Sequence, residues 1–288
     1  MKRVKQLVHA QNVYRMGYSG KNIRVVILDT GVYLHPDLRK NVYGFLDFVS
    51  MKKECYDDNG HGTHVGGILC SNGRLQGIAP EAQMIALKVL EKDGGGQTEC
   101  VIRGLQWVLA HHEELEIRIL NFSVGFLPGA MDYEQRTIVE LLEQLWDEGV
   151  TVVTAAGNNG PAPGSVTVPG ISRKVITVGA SDDQETLRKK RGGYSGRGPT
   201  RCCIIKPEIL APGTNIVSLD RKGRLYTKKS GTSMAAPVVC GALALALQKN
   251  PKLRPEDLKL KLYESAQKEQ KEGDGWGVLH IDNLLALV

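Results

Sequence analysis

Ser233 stands between small residues, in the run Gly-Thr-Ser-Met-Ala-Ala-Pro over 231–237, directly ahead of a long apolar segment. A hydroxyl at a helix start is accessible to substrate, but it is a poor nucleophile at neutral pH unless a base accepts its proton. An imidazole can accept that proton, and a carboxylate on the far side of the ring can orient it. Asp29, which follows the apolar run 23–28, and His61, in the motif Asn-Gly-His-Gly-Thr-His over 59–64, supply these groups. The three residues predict nucleophilic attack on a peptide carbonyl.

The chain order Asp, His, Ser and the motif of several residues around each one resemble the subtilisin-like serine proteases. The resemblance covers about 21–283 and looks closest to intracellular bacterial members. It implies a serine endopeptidase that hydrolyses peptide bonds through an acyl-enzyme intermediate and needs no cofactor for catalysis. In that reaction Ser233 is the nucleophile, His61 is the general base and then the general acid, and Asp29 is the orienting carboxylate.

The resemblance also implies an oxyanion hole and a substrate cleft. Asn158, in the motif Ala-Ala-Gly-Asn-Asn-Gly over 155–160, would donate from its side-chain amide, and the backbone N–H of Ser233 would be the second donor. An extended peptide would lie as an added strand between two backbone edges with little side-chain bulk. These edges are Gly94, Gly95 and Gly96 on one side and Ser123, Val124 and Gly125 on the other.

The P1 pocket, which holds the side chain before the cleaved bond, follows from the same resemblance. We expect no acidic residue at its base, and therefore a broad specificity that favours a large apolar P1 side chain. Asp57 and Asp58, just before the histidine motif, would favour a positive side chain one position further out. The walls and base of the pocket would be 123–125, Ala155, Ala156, Gly157 and Thr167.

Other interpretations of these motifs are weaker. The sequence Ile-Leu-Asp-Thr-Gly over 27–31 is also typical of aspartic proteases, but their mechanism needs two carboxylates that share a proton, and the chain has no second Asp-Thr-Gly or Asp-Ser-Gly. His61 and His64 have the spacing of a metal pair, yet a catalytic zinc site takes three protein ligands. We expect no catalytic metal, and we expect His64 to be a packed helix residue. The alternative from a different functional class is a protein with this fold that lacks catalytic activity and binds peptides or regulates a partner.

Short apolar runs rich in β-branched residues, at 23–28, 84–89, 117–122, 150–154 and 175–178, are separated in several places by amphipathic stretches such as 99–111 and 133–148. This alternation predicts an α/β fold with a parallel sheet, and the resemblance implies a subtilisin-like three-layer sandwich with helices on both faces of a mostly parallel central sheet. We expect an N-terminal extension over 1–20 and one peptidase catalytic domain over 21–288. Its catalytic groups would lie at the carboxyl ends of strands or the starts of helices.

Charge and composition indicate which partners to expect. The 288-residue chain has a formal net charge of +6, and its basic residues are scattered apart from Arg-Lys-Lys-Arg over 188–191, so no nucleic-acid partner is expected. The apolar segment 238–247 is too short to span a bilayer and no signal peptide is evident, which predicts a cytoplasmic protein without a membrane partner. The six cysteines lack a disulfide framework and are expected to be reduced. The sequence leaves the oligomeric state open.

Two further implications of the resemblance concern calcium and the propeptide. Secreted relatives have a strong calcium site after the histidine helix, and Asp37 would correspond to one of its ligands. The segment 70–77 has no carboxylate, and a hard cation takes about six oxygens, so we expect that site to be absent while structural calcium elsewhere stays open. Residues 1–20 are too few for the family's propeptide, so the chain either folds unaided as an intracellular enzyme or is a processed form of a longer precursor, and a propeptide or inhibitor stays open as a partner. The bond before Pro169 is expected to be cis.

Overall fold

The computed structural model of the protein describes residues 1–127, 129, 131–183, 193–221, 225–268 and 275–288. The basic run 188–191 lies outside these residues. The described strands are β1 (Arg24–Asp29), β2 (Val42–Asp47), β3 (Gln83–Lys88), β4 (Ile117–Phe122), β5 (Thr151–Ala155), β6 (Ile176–Ala180), β7 (Ile209–Ala211), β8 (Ile216–Leu219) and β9 (Tyr226–Lys229). The described helices are α1 (Lys2–Leu7), α2 (Gln11–Arg15), α3 (His61–Cys70), α4 (Thr98–His111), α5 (Tyr133–Asp147), α6 (Thr232–Lys249), α7 (Pro255–Ser265) and α8 (Ile281–Ala286).

Seven of these strands form one sheet in the order β2-β3-β1-β4-β5-β6-β7, and every pair in it is parallel. Helices α3 and α6 pack against each other on the sheet, while α4 and α5 pack together as a second helical group. The central strands are buried and rich in Val, Ile and Leu, as is typical of parallel strands that helices cover on both faces. The α/β prediction is therefore confirmed. The sequence pattern missed β2, whose side chains are mostly half-buried, and β7, which has only three residues.

Helix α6 is the central helix of the core. By length and composition it passes as a membrane-spanning segment, but 83% of its apolar window is buried inside the protein, which is typical of a core helix. The sequence predicted an apolar segment at 238–247 in a helix with Ser233 at its front, and the helix begins at Thr232. Its first turns contain mostly small residues, which allow close packing. Ser233 is consequently the second residue of this helix.

The first twenty residues form α1 and α2, which pack onto the same core as the sheet. The guanidinium of Arg3 lies 2.9 Å from the Asp182 carboxylate, and the Tyr14 hydroxyl donates to the carbonyl of Ile78. These contacts join the N-terminal segment to elements far along the chain. The core residues that the segment contributes are Val4, Val8, Ala10 and Val13.

Candidate active site

Asp29 and His61 meet where a strand ends and a helix begins. Asp29 is the last residue of β1, a central strand of the parallel sheet, and His61 is the first residue of α3. The His61 Nδ1 atom lies 2.8 Å from Oδ1 and 2.9 Å from Oδ2 of Asp29, whose side chain is almost completely buried. An ionised carboxylate only accepts hydrogen bonds, so Nδ1 carries the proton and Nε2 is left to exchange protons with substrate groups.

The pKa of His61 reflects opposing influences. Burial alone would lower it, but the neighbouring Asp29 carboxylate outweighs burial and raises the pKa above 6.5, while the Lys229 ammonium acts in the lowering direction. A general base must be neutral before it can accept a proton. The neutral form of His61, which is able to accept a proton, therefore predominates above this raised pKa.

Asn158 lies beside the start of α6 and its orientation is fixed by Thr232. The Asn158 Oδ1 atom accepts from the Thr232 backbone N–H at 3.0 Å and from its hydroxyl at 3.3 Å. Because a backbone N–H can only donate, the atom facing it is the amide oxygen, and Nδ2 is turned away from Thr232. This orientation leaves the Nδ2 hydrogens available to an acceptor near Ser233.

Ser233 and Asn158 line the same cavity of about 310 Å³. A larger cavity, of about 1080 Å³, lies at the amino-terminal ends of β1 and β4. Parallel sheets bind ligands at the carboxyl ends of their strands, where Asp29 is found, so we assign the site to the smaller cavity. The predicted residues that line it are Ser123, Val124, Gly125, Ala155, Gly157, Asn158, Thr167 and Ser233, and the sequence analysis missed Leu127, Asn159 and Thr232.

Sequence and structure comparisons decide the family. The model of the Subtilase family matches residues 20–277. The chain belongs to the subtilase family. It is 40% identical to the serine protease AprX of Bacillus subtilis (strain 168) over 96% of this chain and 69% of that protein, and 34% identical to subtilisin DY of Bacillus licheniformis over 90% of this chain and 89% of that protein. A cold adapted subtilisin-like serine proteinase has the same fold, with a TM-score of 0.75 and 28% identity over 91% of this chain and 90% of that chain.

Membership establishes the kind of enzyme. This subtilase is a serine endopeptidase that acts on proteins or peptides, and its catalysis needs no cofactor. The predicted fold is confirmed by the structural neighbour. The peptide bond before Pro169 is cis, as the resemblance implied.

Thr167 lies between the two walls of the subtilase cavity. A Cβ atom added at Gly157 would lie 2.4 Å from the Thr167 Cγ2, and one added at Gly125 would lie 2.8 Å from its Oγ1. Both walls therefore need glycine at these points, and the threonine side chain fills the space between them. Ala156 is buried behind the wall, where its carbonyl accepts from the Thr167 N–H at 3.0 Å.

The three predicted edge glycines lie away from this cavity, on the His61 side. They form an exposed turn in which the Gly95 carbonyl accepts from the Glu91 N–H at 2.7 Å. A Cβ atom added at Gly94 would lie 3.6 Å from the Asn59 Nδ2, two residues before the histidine. The structure thus places Gly94, Gly95 and Gly96 beside the loop that enters α3, and 123–125 on the cavity wall.

Helix α3, which carries His61, packs against α6, which carries Ser233. Within the part of the chain that the structure describes, no hydrogen bond joins the serine hydroxyl to the imidazole. Such a contact is often long in the free enzyme and tightens when substrate binds. The neighbouring His64 is buried, bonds the Ile216 carbonyl through Nε2 at 3.1 Å, and has its pKa lowered to about 3 by burial and by Lys229. It is a neutral packed residue, as predicted.

Of the two acidic residues before the histidine motif, Asp57 differs from the sequence-based expectation. Asp57 is buried, and both of its oxygens accept hydrogen bonds from the protein, so it is not available to a substrate side chain. Asp58 is partly exposed and lies 2.8 Å from the ammonium of Lys88. The sequence analysis missed Lys88, which is only 1% exposed and also donates to the carbonyls of Thr30 and Leu90. The sequence did contain a signal for this buried ion pair, because a lysine stands within the apolar run 84–89.

Asp37 does not fit a calcium site in this subtilase. Its carboxylate accepts from the Tyr226 hydroxyl at 2.7 Å, the Leu75 N–H at 3.0 Å and the Arg74 N–H at 3.2 Å. Calcium takes six to eight oxygen ligands, whereas these partners are all donors. Among the described residues, no group of three or more His, Cys, Asp or Glu side chains is arranged to hold a metal ion.

Proposed function

We propose that Ser233, His61 and Asp29 carry out peptide-bond hydrolysis in this subtilase. The Ser233 Oγ attacks the scissile carbonyl carbon while its proton moves to the His61 Nε2. Asp29 holds the Nδ1 proton and stabilises the imidazolium that forms. The observation that carries this proposal is the Asp29–His61 contact, because it leaves only Nε2 for proton transfer.

The tetrahedral intermediate places a negative charge on the former carbonyl oxygen. The Asn158 Nδ2 and the Ser233 N–H are the proposed donors to that oxygen, and the N-terminus of the 18-residue helix α6 adds a favourable dipole. When the intermediate collapses, His61 gives its proton to the leaving amine. Water then attacks the acyl-enzyme with His61 again as the base, which restores the serine.

Labelling with a serine-directed fluorophosphonate tests this assignment. The wild-type enzyme should be phosphonylated at Ser233, with loss of fluoride, and should hydrolyse a denatured protein mixture, while Ser233→Ala should lose both properties. Ser230→Ala is a matched control, because this exposed serine lies three residues earlier. Folded wild-type protein that is neither labelled nor active would favour the catalytically silent alternative.

The geometry also supports a proposal for specificity. Among the described residues that line the cavity none is charged and most are small, which supports broad specificity with uncharged, apolar P1 side chains as the sequence suggested. Thr167 occupies the space between Gly125 and Gly157, so leucine or methionine should fit better than the largest aromatic side chains. Profiling the cut sites in denatured proteins would test this, because a dominant preference for tryptophan or tyrosine would contradict it.

We further propose a cytoplasmic enzyme whose catalytic domain, 21–288, works with the extension 1–20 docked on it and without the family's strong calcium site. Six free cysteines support the location, and the donors around Asp37 support the absence of that site. A propeptide or a protein inhibitor remains a proposed partner. Cell fractionation tests the location, and the enzyme should be found in the cytoplasmic fraction.

A chelator tests the calcium proposal. It should leave the melting temperature unchanged if the strong calcium site is absent.

A further inference from the structure

The buried carboxylate of Asp57 receives five hydrogen bonds from two neighbouring segments. Its Oδ1 accepts from the Thr30 hydroxyl at 2.9 Å and from the N–H groups of Asn59 and Gly60 at 3.1 and 2.6 Å. Its Oδ2 accepts from the N–H and the hydroxyl of Thr63, at 2.9 and 2.6 Å. The carboxylate is thus fully engaged inside the protein.

These donors flank two of the proposed catalytic residues. Thr30 directly follows Asp29, while Gly60 and Thr63 lie on either side of His61. The Thr30 hydroxyl donates to Asp57 and also accepts from the Gly62 N–H at 3.0 Å, so it bonds to the carboxylate and to the helix start together. Asp57 therefore connects the end of β1 to the start of α3.

The two connected segments approach each other closely. A Cβ atom added at Gly62 would lie 2.2 Å from the Gly31 carbonyl oxygen and 3.2 Å from the Asp29 Cβ. Strand end and helix start are therefore in backbone contact at this point. A small change in how Asp57 is bonded would alter the distance between the carboxylate of Asp29 and the imidazole.

Charge contributes in addition to geometry. Burial alone would raise the pKa of Asp57, but hydrogen bonds from Thr63, Gly60 and Thr30 outweigh burial and lower it below 3.8, so the group is ionised at neutral pH. Hydrogen bonds to an ionised acceptor are roughly twice as strong as neutral ones. The carboxylate can therefore hold both segments firmly.

We propose that Asp57 is a positioning residue for the reaction, because it fixes the strand end that carries Asp29 against the helix start that carries His61. The inference rests on the proposed catalytic roles of those two residues. Asp57 itself contacts neither the imidazole nor the cavity that holds Ser233. Its effect on the rate passes through the Asp29–His61 contact, where a displacement of about 1 Å can cost on the order of a hundredfold.

Asp57→Asn is the principal test, because it keeps the shape but turns an NH₂ group toward donors. We expect kcat per active site to fall about 10- to 100-fold with KM little changed. We also expect the pKa of the acid limb of kcat/KM to fall. The charged groups that act on His61 are Asp29, Lys229 and Asp57, while the neighbouring His64 is neutral, and Asp57→Asn removes only the Asp57 charge.

Asp47→Asn is the matched control. Asp47 is as buried as Asp57 and accepts from three backbone N–H groups and the Tyr56 hydroxyl, but it lies at the end of the edge strand β2. Its substitution should lower the melting temperature while leaving kcat per site and the pH profile within twofold. A second pair of variants tests the inference if Asp57→Asn does not fold. Thr30→Val should lower kcat per active site and the acid-limb pKa, as Asp57→Asn does, and Thr30→Ser should restore both.

Active sites are counted by fluorophosphonate titration, so loss of folded protein is separated from loss of rate. Unchanged kcat per site and pH profile in Asp57→Asn or Thr30→Val, with only a lower melting temperature, would overturn the inference. An equal kinetic loss in Asp47→Asn would also overturn it. Failure of the wild-type enzyme to be labelled at Ser233 would instead reject the proposed function on which it rests.

Discussion

On the His61 side of the active site buried charged groups make the contacts, whereas on the Ser233 side small residues and backbone atoms do. Asp29 holds the imidazole directly through its carboxylate. Around the nucleophile, Asn158 is held by the Thr232 N–H and the cavity wall includes Gly157. In the proposed mechanism the His61 side controls protonation, and the Ser233 side controls the shape of the cavity and the contacts to the oxyanion. Substitutions on the His61 side should therefore change pH dependence, while those on the Ser233 side should change rate or selectivity at an unchanged pH profile.

The largest expected effect within this comparison belongs to Asp29→Asn. The new amide would favour the wrong imidazole tautomer, and kcat should fall by about 10⁴-fold, the magnitude known for the same substitution in another serine protease. The acid limb of the pH profile should move to lower pH because the raising influence of Asp29 is lost. Stopped-time assays on protein shown to be folded by circular dichroism measure both. A loss below tenfold would show that the carboxylate does not orient the base.

Asn158→Ala should have the next largest effect. Loss of one oxyanion donor costs about a hundredfold to a thousandfold in kcat, a magnitude obtained on a subtilisin. Asn158→Asp keeps the oxygen that accepts from Thr232 but removes the Nδ2 donor, so an equal or larger loss would identify the donor as the cause. The acid-limb pKa should stay unchanged in Asn158→Ala. A marked shift of the acid-limb pKa would contradict the division of roles between the His61 side and the Ser233 side.

Thr167→Gly should act on selectivity. Removing the side chain between Gly125 and Gly157 deepens the P1 pocket, and differences of this size in an apolar pocket are worth about tenfold or more. The ratio of kcat/KM for phenylalanine to that for leucine at P1 should rise about tenfold, measured with a matched peptide pair. Thr167→Ser should give an intermediate ratio. An unchanged ratio would place the P1 side chain elsewhere.

The smallest effect concerns the proton on His61. Because its folded-state pKa is raised above 6.5, the folded protein binds this proton more tightly than the unfolded chain. That contribution to stability is fully present below pH 6.5 and is lost as pH rises through the folded-state pKa. Activity should rise over the same window in which stability falls slightly. Denaturant unfolding of wild type and His61→Ala at several pH values would show the difference, and parallel curves would contradict it.

Much of the fold and several site residues could be predicted from local pattern. The β-branched runs predicted the central strands because strands buried on both faces have no polar alternation. The start of α6 near Ser233 was also predicted, since the motif over 231–237 directly precedes an apolar segment. The structure brings Asp29 to His61, and Asn158 and most of the predicted pocket residues to Ser233. These positions were accessible because each chemical role requires a particular residue type inside a recognisable motif.

Other features depended on segments far apart in the chain. An acidic pair before the histidine motif suggested a substrate contact, but Asp57 is buried under donors from Thr30 and Thr63. Lys88 occurs in an apolar run, and only the fold places it against Asp58 and the carbonyl of Thr30. Hydropathy and spacing do not record which distant donor meets which acceptor. Such pairings therefore could not be predicted.

The sequence by itself determined the family, the α/β class and the identity of the groups able to perform acyl transfer, because these depend on residue type and local order. The tertiary structure decided that the carboxylate of Asp29 contacts the imidazole, whereas the carboxylate of Asp57 is enclosed by donors from Thr30 and from 60–63. It also decided that Thr167 narrows the pocket between Gly125 and Gly157. The physical reason is that burial, hydrogen-bond partners and free volume arise only when separate strands and helices pack against one another.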